Sequence, residues 1–279
     1  MTNPTAVPSA DIRSIPTAAF IEQIRARFPV EPEVDRVLTA KLQTRANGGY
    51  AAIPLDQLVA SIDALIRSQI GGDFAITNAR WLGGGASKLQ VAFDLDWTGF
   101  EKGARRLTPM VLRMEPPASI VETSRRREFE MLQAMRDVVP VPPCYWVDDK
   151  GTFLPHPGLI YGLAEGVTKP SARPSQQVTG IGTNFGPELR PIMAQQFIDH
   201  LARIHTAPES TLAELTSFEP ASVGSADSIV RQIMWWRRVW EEDRPEASPL
   251  VEVAAQWLVA NAPPLDHVSV IHGDFRAGN

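Results

Sequence analysis

Apolar residues recur every three or four positions in "TAAFIEQIRARF", "EVDRVLTAKLQ" and "PLDQLVASIDALIRSQI", which predicts two or three helices in the first seventy residues, with Pro54 at a helix start. The sixteen residues before them are rich in Pro, Ser and Thr, have no period and read as a tail. At Phe74 the period changes. "FAITNARWL" and "KLQVAFDLDW" alternate apolar with polar positions and are rich in β-branched and aromatic residues, so they predict strands, joined here by a Gly-rich turn, "GGGAS". "LTPMVLRM" predicts a third strand, and "SIVETSRRREFEMLQAMRDV" a helix with Ile120, Phe129, Leu132 and Met135 on one stripe. "VPVPPCYWV" and "GLIYGLAEG" predict two more strands. Val167 to Pro191 has Pro, Ser, Gly and Thr without period and reads as a loop. "PIMAQQFIDHLARIHTA", "SADSIVRQIMWWRRVWEED" and "LVEVAAQWLVANA" then return to helical spacing. The fold class implied is α+β, and no repeat of fixed period is present.

Composition narrows the partners. With 279 residues, 44% of them apolar, the chain can bury a sizeable core in one large or two small domains. A net charge of -5 and a pI of about 5.6 provide no global positive field for nucleic acid or anionic lipid, so neither is an expected partner. Cys144 is the single cysteine and cannot form an internal disulfide. "MTNPTAVPSADIRSIP" lacks the basic-then-apolar layout of a secretory signal, and no apolar run approaches the ~20 residues that span a bilayer. The expected location is the cytoplasm. Oligomeric state has no signature in the sequence.

The densest chemistry is in "VSVIHGDFRAGN". Val268, Val270 and Ile271 predict a short buried strand that would deliver His272, Asp274 and Asn279 on a loop at its end. Phosphoryl transfer to a hydroxyl needs a carboxylate near the attacking oxygen and a magnesium ligand, and an Asp followed five positions later by an Asn can supply both. The protein-kinase loop H-R-D-x-x-x-x-N has the same spacing as H-G-D-F-R-A-G-N here. Asp and Asn are also common turn caps, and for an arbitrary Asp and Asn the two readings would weigh evenly, but the full motif after an apolar strand favours function. Trp235, Trp236, Trp240 and Trp257 fall at helical spacing, which favours core packing over a pocket wall. The three arginines of "SRRRE" favour a solvated helix face over a phosphate site.

The loop, together with the stretch from "WWRRVWEE" onward, resembles the aminoglycoside phosphotransferase and choline kinase-like family, whose catalytic loop is H-G-D-x-x-x-x-N. H-G-D-F-R-x-G-N is more narrowly similar to the branch found in acyl-CoA dehydrogenase fusion proteins. The resemblance runs from about residue 74 to 279. It implies a two-lobed protein-kinase-like fold, with a small lobe of antiparallel sheet plus helix (71–165), an incomplete, mostly helical large lobe (166–279) and an N-terminal tail and helical extension (1–70). ATP and Mg2+ are the implied cofactors, and a small-molecule hydroxyl is the implied acceptor.

The same resemblance assigns roles. Asp274 orients and deprotonates the acceptor, and Asn279 binds magnesium. Gly83, Gly84, Gly85, Ala86, Ser87 and Lys88 cover the triphosphate, although the glycines alone fit a plain hairpin equally well. Arg113 holds the α- and β-phosphates where protein kinases use Lys, and Glu128 aligns it, with Glu130 the second choice. Backbone groups of Gly162, Leu163 and Ala164 meet the adenine edge. His205 and His272 shape the loop. The family carries a further magnesium-binding Asp downstream of this motif, so the chain is expected to be a fragment or a natural truncation with little or no kinase activity. A hydroxyacyl-CoA or related catabolic intermediate is the implied acceptor. An antibiotic kinase and a non-catalytic ATP-binding scaffold are the rival readings.

Overall fold

A computed structural model describes residues 11–47, 52–83, 88–100, 104–115, 123–166, 185–244 and 246–275. Three helices come first: α1 (Ala18–Arg27), α2 (Pro32–Ala46) and α3 (Leu55–Gln69). Strands β1 (Ala75–Trp81), β2 (Leu89–Trp97) and β3 (Arg106–Met114) precede α4 (Arg125–Met135), and β4 (Cys144–Asp148) and β5 (Gly158–Gly162) follow it. Four helices complete the order: α5 (Gly186–His205), α6 (Glu209–Ala213), α7 (Asp227–Asp243) and α8 (Pro249–Ala260). The strands form one antiparallel sheet in the order β1-β2-β3-β5-β4, so the α+β class expected from the sequence is the one observed.

The main core lies between this sheet and α3. Leu58, Ile62, Leu65 and Ile66 recur on one face of α3 and are fully buried against Val91, Phe93, Leu95 and Trp97 of β2 and Met110, Leu112 and Met114 of β3. Each such side chain contributes about 1.5–3 kcal/mol of burial. The sequence groups α3 with an N-terminal extension, but its apolar face belongs to the sheet. Because β3 sends Leu112 and Met114 into that core, alternation turns Arg113 to the opposite face, toward α4. Asp148 ends β4 and caps the turn after it, accepting the backbone N–H groups of Thr152, Phe153 and Leu154 at 2.8, 2.8 and 2.9 Å.

Three expectations are corrected. Helix α5 begins at Gly186, inside the stretch read as loop, because Pro187 and Glu188 suit a first helical turn and Pro191 then costs a single hydrogen bond near the helix start. Residues 268–271 form no strand: Val270 is buried, whereas Ile271 is 71% exposed, since no neighbouring strand pairs with them among the described residues. Nor do the tryptophans of α7 and α8 fill a core. Trp236 is 48% exposed and stacks on Trp235 at 5.6 Å, Trp257 is 62% exposed, and α8 buries none of its residues. The helices α7 and α8 meet along one side, and their outer faces have no described cover. No described helix is long and apolar enough to cross a membrane.

Candidate functional site

Helix α4 starts at Ser124, whose side chain accepts the Arg127 N–H at 3.1 Å, and the next residues project their side chains back over that turn. Glu128 is thereby set against β3. Its carboxylate lies 3.2 Å from Arg113 Nε, which brings together the two residues that the sequence singled out as a pair. The contact is an ion pair without an aligned hydrogen bond, and Arg113 Nε has no hydrogen-bond partner among the described residues. Glu130, the second choice, points elsewhere: it accepts from the N–H and hydroxyl of Ser217 at 2.8 and 2.7 Å.

The pair is part of a larger cluster. Arg125 is 1% exposed, ion-pairs with Glu128, and lies 3.3 Å from Glu115 at the end of β3. Reading "SRRRE" as a solvated face is therefore wrong for its first arginine. Glu115 also pairs with Lys88 at 2.8 Å. Lys88, expected over the triphosphate, is thus turned into the sheet's end, and its burial pulls its pKa below that of an ordinary lysine against the pull of Glu115. Arg125 is lowered in the same way, by burial first. Tyr161 on β5 is shifted up by its own burial, against the opposing pull of the Arg113 charge. Among the described residues Lys88, Arg113 and Arg125 face Glu115 and Glu128, so cations outnumber carboxylates there, and Arg125 Nε is buried without a described hydrogen-bond partner. That surplus suits an anionic ligand such as a triphosphate. Glu115, Arg125 and Tyr161 were missed from sequence. The one available signal was the three-residue spacing of Arg125 and Glu128 behind a Ser N-cap.

Of the three residues expected at the adenine edge, two have their N–H groups engaged in the fold. Gly162 donates to Pro143 O at 2.8 Å and Leu163 to Pro109 O at 3.0 Å, which removes both donors from a ligand-binding role. Gly162 also has a packing reason to be glycine, since a Cβ there would come within 2.9 Å of Pro143 Cγ. Ala164 is exposed beyond the strand end. A Cβ added at Gly83 would meet no described atom within 4 Å. Gly84, Gly85, Ala86, Ser87 and Asn279 lie outside the described residues.

Asp274 is exposed and follows Gly273, which has φ +79. Its segment is anchored by Phe275, 4.2 Å from the Phe197 ring of α5 and 5.2 Å from His272. Phe275 also packs with Met131 and Met135, so the helix that carries Glu128 and the segment that carries Asp274 share one apolar cluster. Beside it opens a cavity of about 930 Å³, walled by α4, α5 and residues 270–275. Its lining includes Met135, Met193, Phe197 and Ile204, and among the described residues its ionisable groups are Arg190, His200 and His272, with no carboxylate. His205, at the end of α5, is exposed.

A family model described as "Phosphotransferase enzyme family" matches residues 82–279. Acyl-CoA dehydrogenase family member 10 of Mus musculus is 24% identical over 174 residues, which is 61% of this chain and 15% of that protein. The chain therefore spans a small part of that relative's length. A crystal structure from Ralstonia eutropha, described provisionally as an aminoglycoside phosphotransferase, aligns with a TM-score of 0.47 at 19% identity, over 79% of this chain and 59% of that one.

Proposed function

This chain belongs to the phosphotransferase enzyme family, and from that premise we propose that it moves a phosphoryl group from ATP to a hydroxyl on a small molecule. The observation that supports this reading is the Arg113–Glu128 ion pair at 3.2 Å, set in a cluster where, among the described residues, cations outnumber carboxylates. Arg113 would bind phosphate oxygens through the donors that its partner leaves unaligned, and Glu128 would hold the guanidinium in place. Bound ATP would supply the phosphoryl group, with Mg2+ offsetting its charge. Asp274 would accept the proton of the attacking hydroxyl, and its hard oxygen, with the amide oxygen of Asn279, suits magnesium.

The acceptor class is the finer part of the proposal. The mouse relative's name refers to acyl-CoA, and the cavity beside the Asp274 segment is lined by apolar side chains, arginine and histidine. Such walls suit an acyl chain with an anionic carrier and disfavour a cationic aminoglycoside, which needs carboxylates. We therefore favour a hydroxyacyl-CoA or related catabolic intermediate, handled in the cytoplasm. Release of ADP from MgATP, measured against hydroxyacyl-CoA, aminoglycoside and choline acceptors, tests this. The expected result is transfer to the hydroxyacyl compound that is lost in Asp274→Ala. Transfer to an aminoglycoside instead would overturn the acceptor class. Nucleotide binding with no transfer to any acceptor, by this chain or by a longer one that contains it, would favour a scaffold.

A further inference from the structure

Helix α2 lies against both halves of the molecule, and it does so through charge. At its N-cap, Glu31 is 2.5 Å from Arg127 of α4 and 3.3 Å from Arg231 of α7, so one carboxylate bridges the two helices. Glu33, buried in the first turn of α2, accepts a hydrogen bond from the hydroxyl of Ser124, the residue that caps α4. Arg36 donates to the Asp149 carbonyl in the β4–β5 turn at 3.1 Å. On the other side, Asp35 pairs with Arg238 of α7 at 2.5 Å, and Lys41 and Arg45 both reach Asp243 at the end of α7, at 2.6 and 2.8 Å. Lys41, Arg238 and Glu33 are buried, so these contacts are shielded from salt and water in a way that surface pairs are not.

The position of these links matters more than their number. Ser124 and Arg127 both precede Glu128 within the first turn of α4, and Glu128 is the residue held on Arg113. A shift of that turn by an ångström would open the 3.2 Å contact. We propose that α2 is a brace between the sheet-bearing and helical halves, and that Glu31 and Glu33 are positioning residues that keep Glu128 on Arg113. The mechanical part stands on the contacts alone, and the consequence for nucleotide rests on the phosphotransferase reading.

The test uses the full chain with Glu31→Gln and Glu33→Gln combined, and Arg231→Gln as a second variant that approaches the same carboxylate from α7 and leaves α4 unaltered. Amide hydrogen exchange is read in α4 and, as an internal reference, in β2 and β3. MgATP affinity is read by titration calorimetry. The expected result is at least tenfold faster exchange in α4 of the double variant, a several-fold rise for Arg231→Gln, unchanged exchange in β2 and β3, and several-fold weaker MgATP binding. Exchange in α4 within twofold of the parent, or faster exchange throughout the sheet as well, overturns the brace. A loosened α4 with unchanged MgATP affinity overturns the positioning role. If the parent chain itself binds no MgATP, the proposed function fails, and the exchange data still decide the brace.

Discussion

Replacing Glu128 by Gln keeps the shape of the side chain and removes one negative charge from a cluster that has two. Arg113 would then lose its carboxylate partner, and Glu115 would be the carboxylate left to Arg125 among the described residues. Breaking a fully buried pair costs about 3–5 kcal/mol, because the remaining charge is left desolvated. Arg125 meets that condition at 1% exposure, but Arg113 is a third exposed and water screens its loss. The expected destabilisation is therefore about 2–3 kcal/mol, or roughly 4–12 °C in Tm for a chain of this size. Arg125→Met is the informative contrast. It removes the most buried cation and leaves Glu115 with Lys88 at 2.8 Å and Glu128 with Arg113 at 3.2 Å, so each carboxylate keeps a partner. Its expected cost is within about 1 kcal/mol of zero, in either direction. Urea denaturation of both variants beside the parent gives the comparison. A loss for Arg125→Met that exceeds the loss for Glu128→Gln would refute the view that Glu128 is the hub of this cluster.

Asp274→Asn is expected to lower phosphoryl transfer by about 10²–10⁴-fold with MgATP affinity retained, which steady-state rates and calorimetry would check together. Glu242, fully buried beside Arg238 at 2.8 Å, has its pKa pushed up by burial to about 7. An acid whose folded pKa is raised costs nothing below its unfolded value and loses stability as pH climbs through the folded one, so the penalty grows from pH 4.5 to 7 and reaches about 3 kcal/mol. Glu242→Gln should therefore gain on the parent in urea denaturation between pH 5 and 8, and parallel pH profiles would contradict this. Asp148→Ala strands three backbone N–H groups and is expected to cost about 3 kcal/mol, read as the shift in the urea midpoint.

The strands and long helices were legible because their periods are strong: Val91, Phe93, Leu95 and Trp97 alternate, and Leu58, Ile62, Leu65 and Ile66 repeat at helical spacing. The Arg113–Glu128 pair came from the family resemblance, which puts a basic residue on the third strand and a Glu on the helix after it; strand and helix pattern alone left both as solvated positions. Arg125 was not legible, because an arginine buries only where two carboxylates from elsewhere converge on it, and Glu115 is ten residues away in sequence. Lys88 was expected over the triphosphate from its place after the Gly-rich turn, and its ion pair with Glu115, at the end of the neighbouring strand, left no mark in the local pattern. The tryptophans of α7 and α8 misled because helical spacing reports a face and not what covers it. Helix α6, five residues long, is too short to leave a period. Nor does pattern reveal α2 as a bridge, since its acidic and basic residues read as an ordinary solvated surface until α4 and α7 come to meet them.

Titration calorimetry of MgATP into the parent chain and into Arg113→Met tests the central claim most directly. Saturable binding to the parent, weakened at least tenfold by the substitution while the Tm of the two proteins stays close, is the predicted result. No binding to the parent, or equal binding to both, would mean that the Arg113–Glu128 pair does not hold a nucleotide.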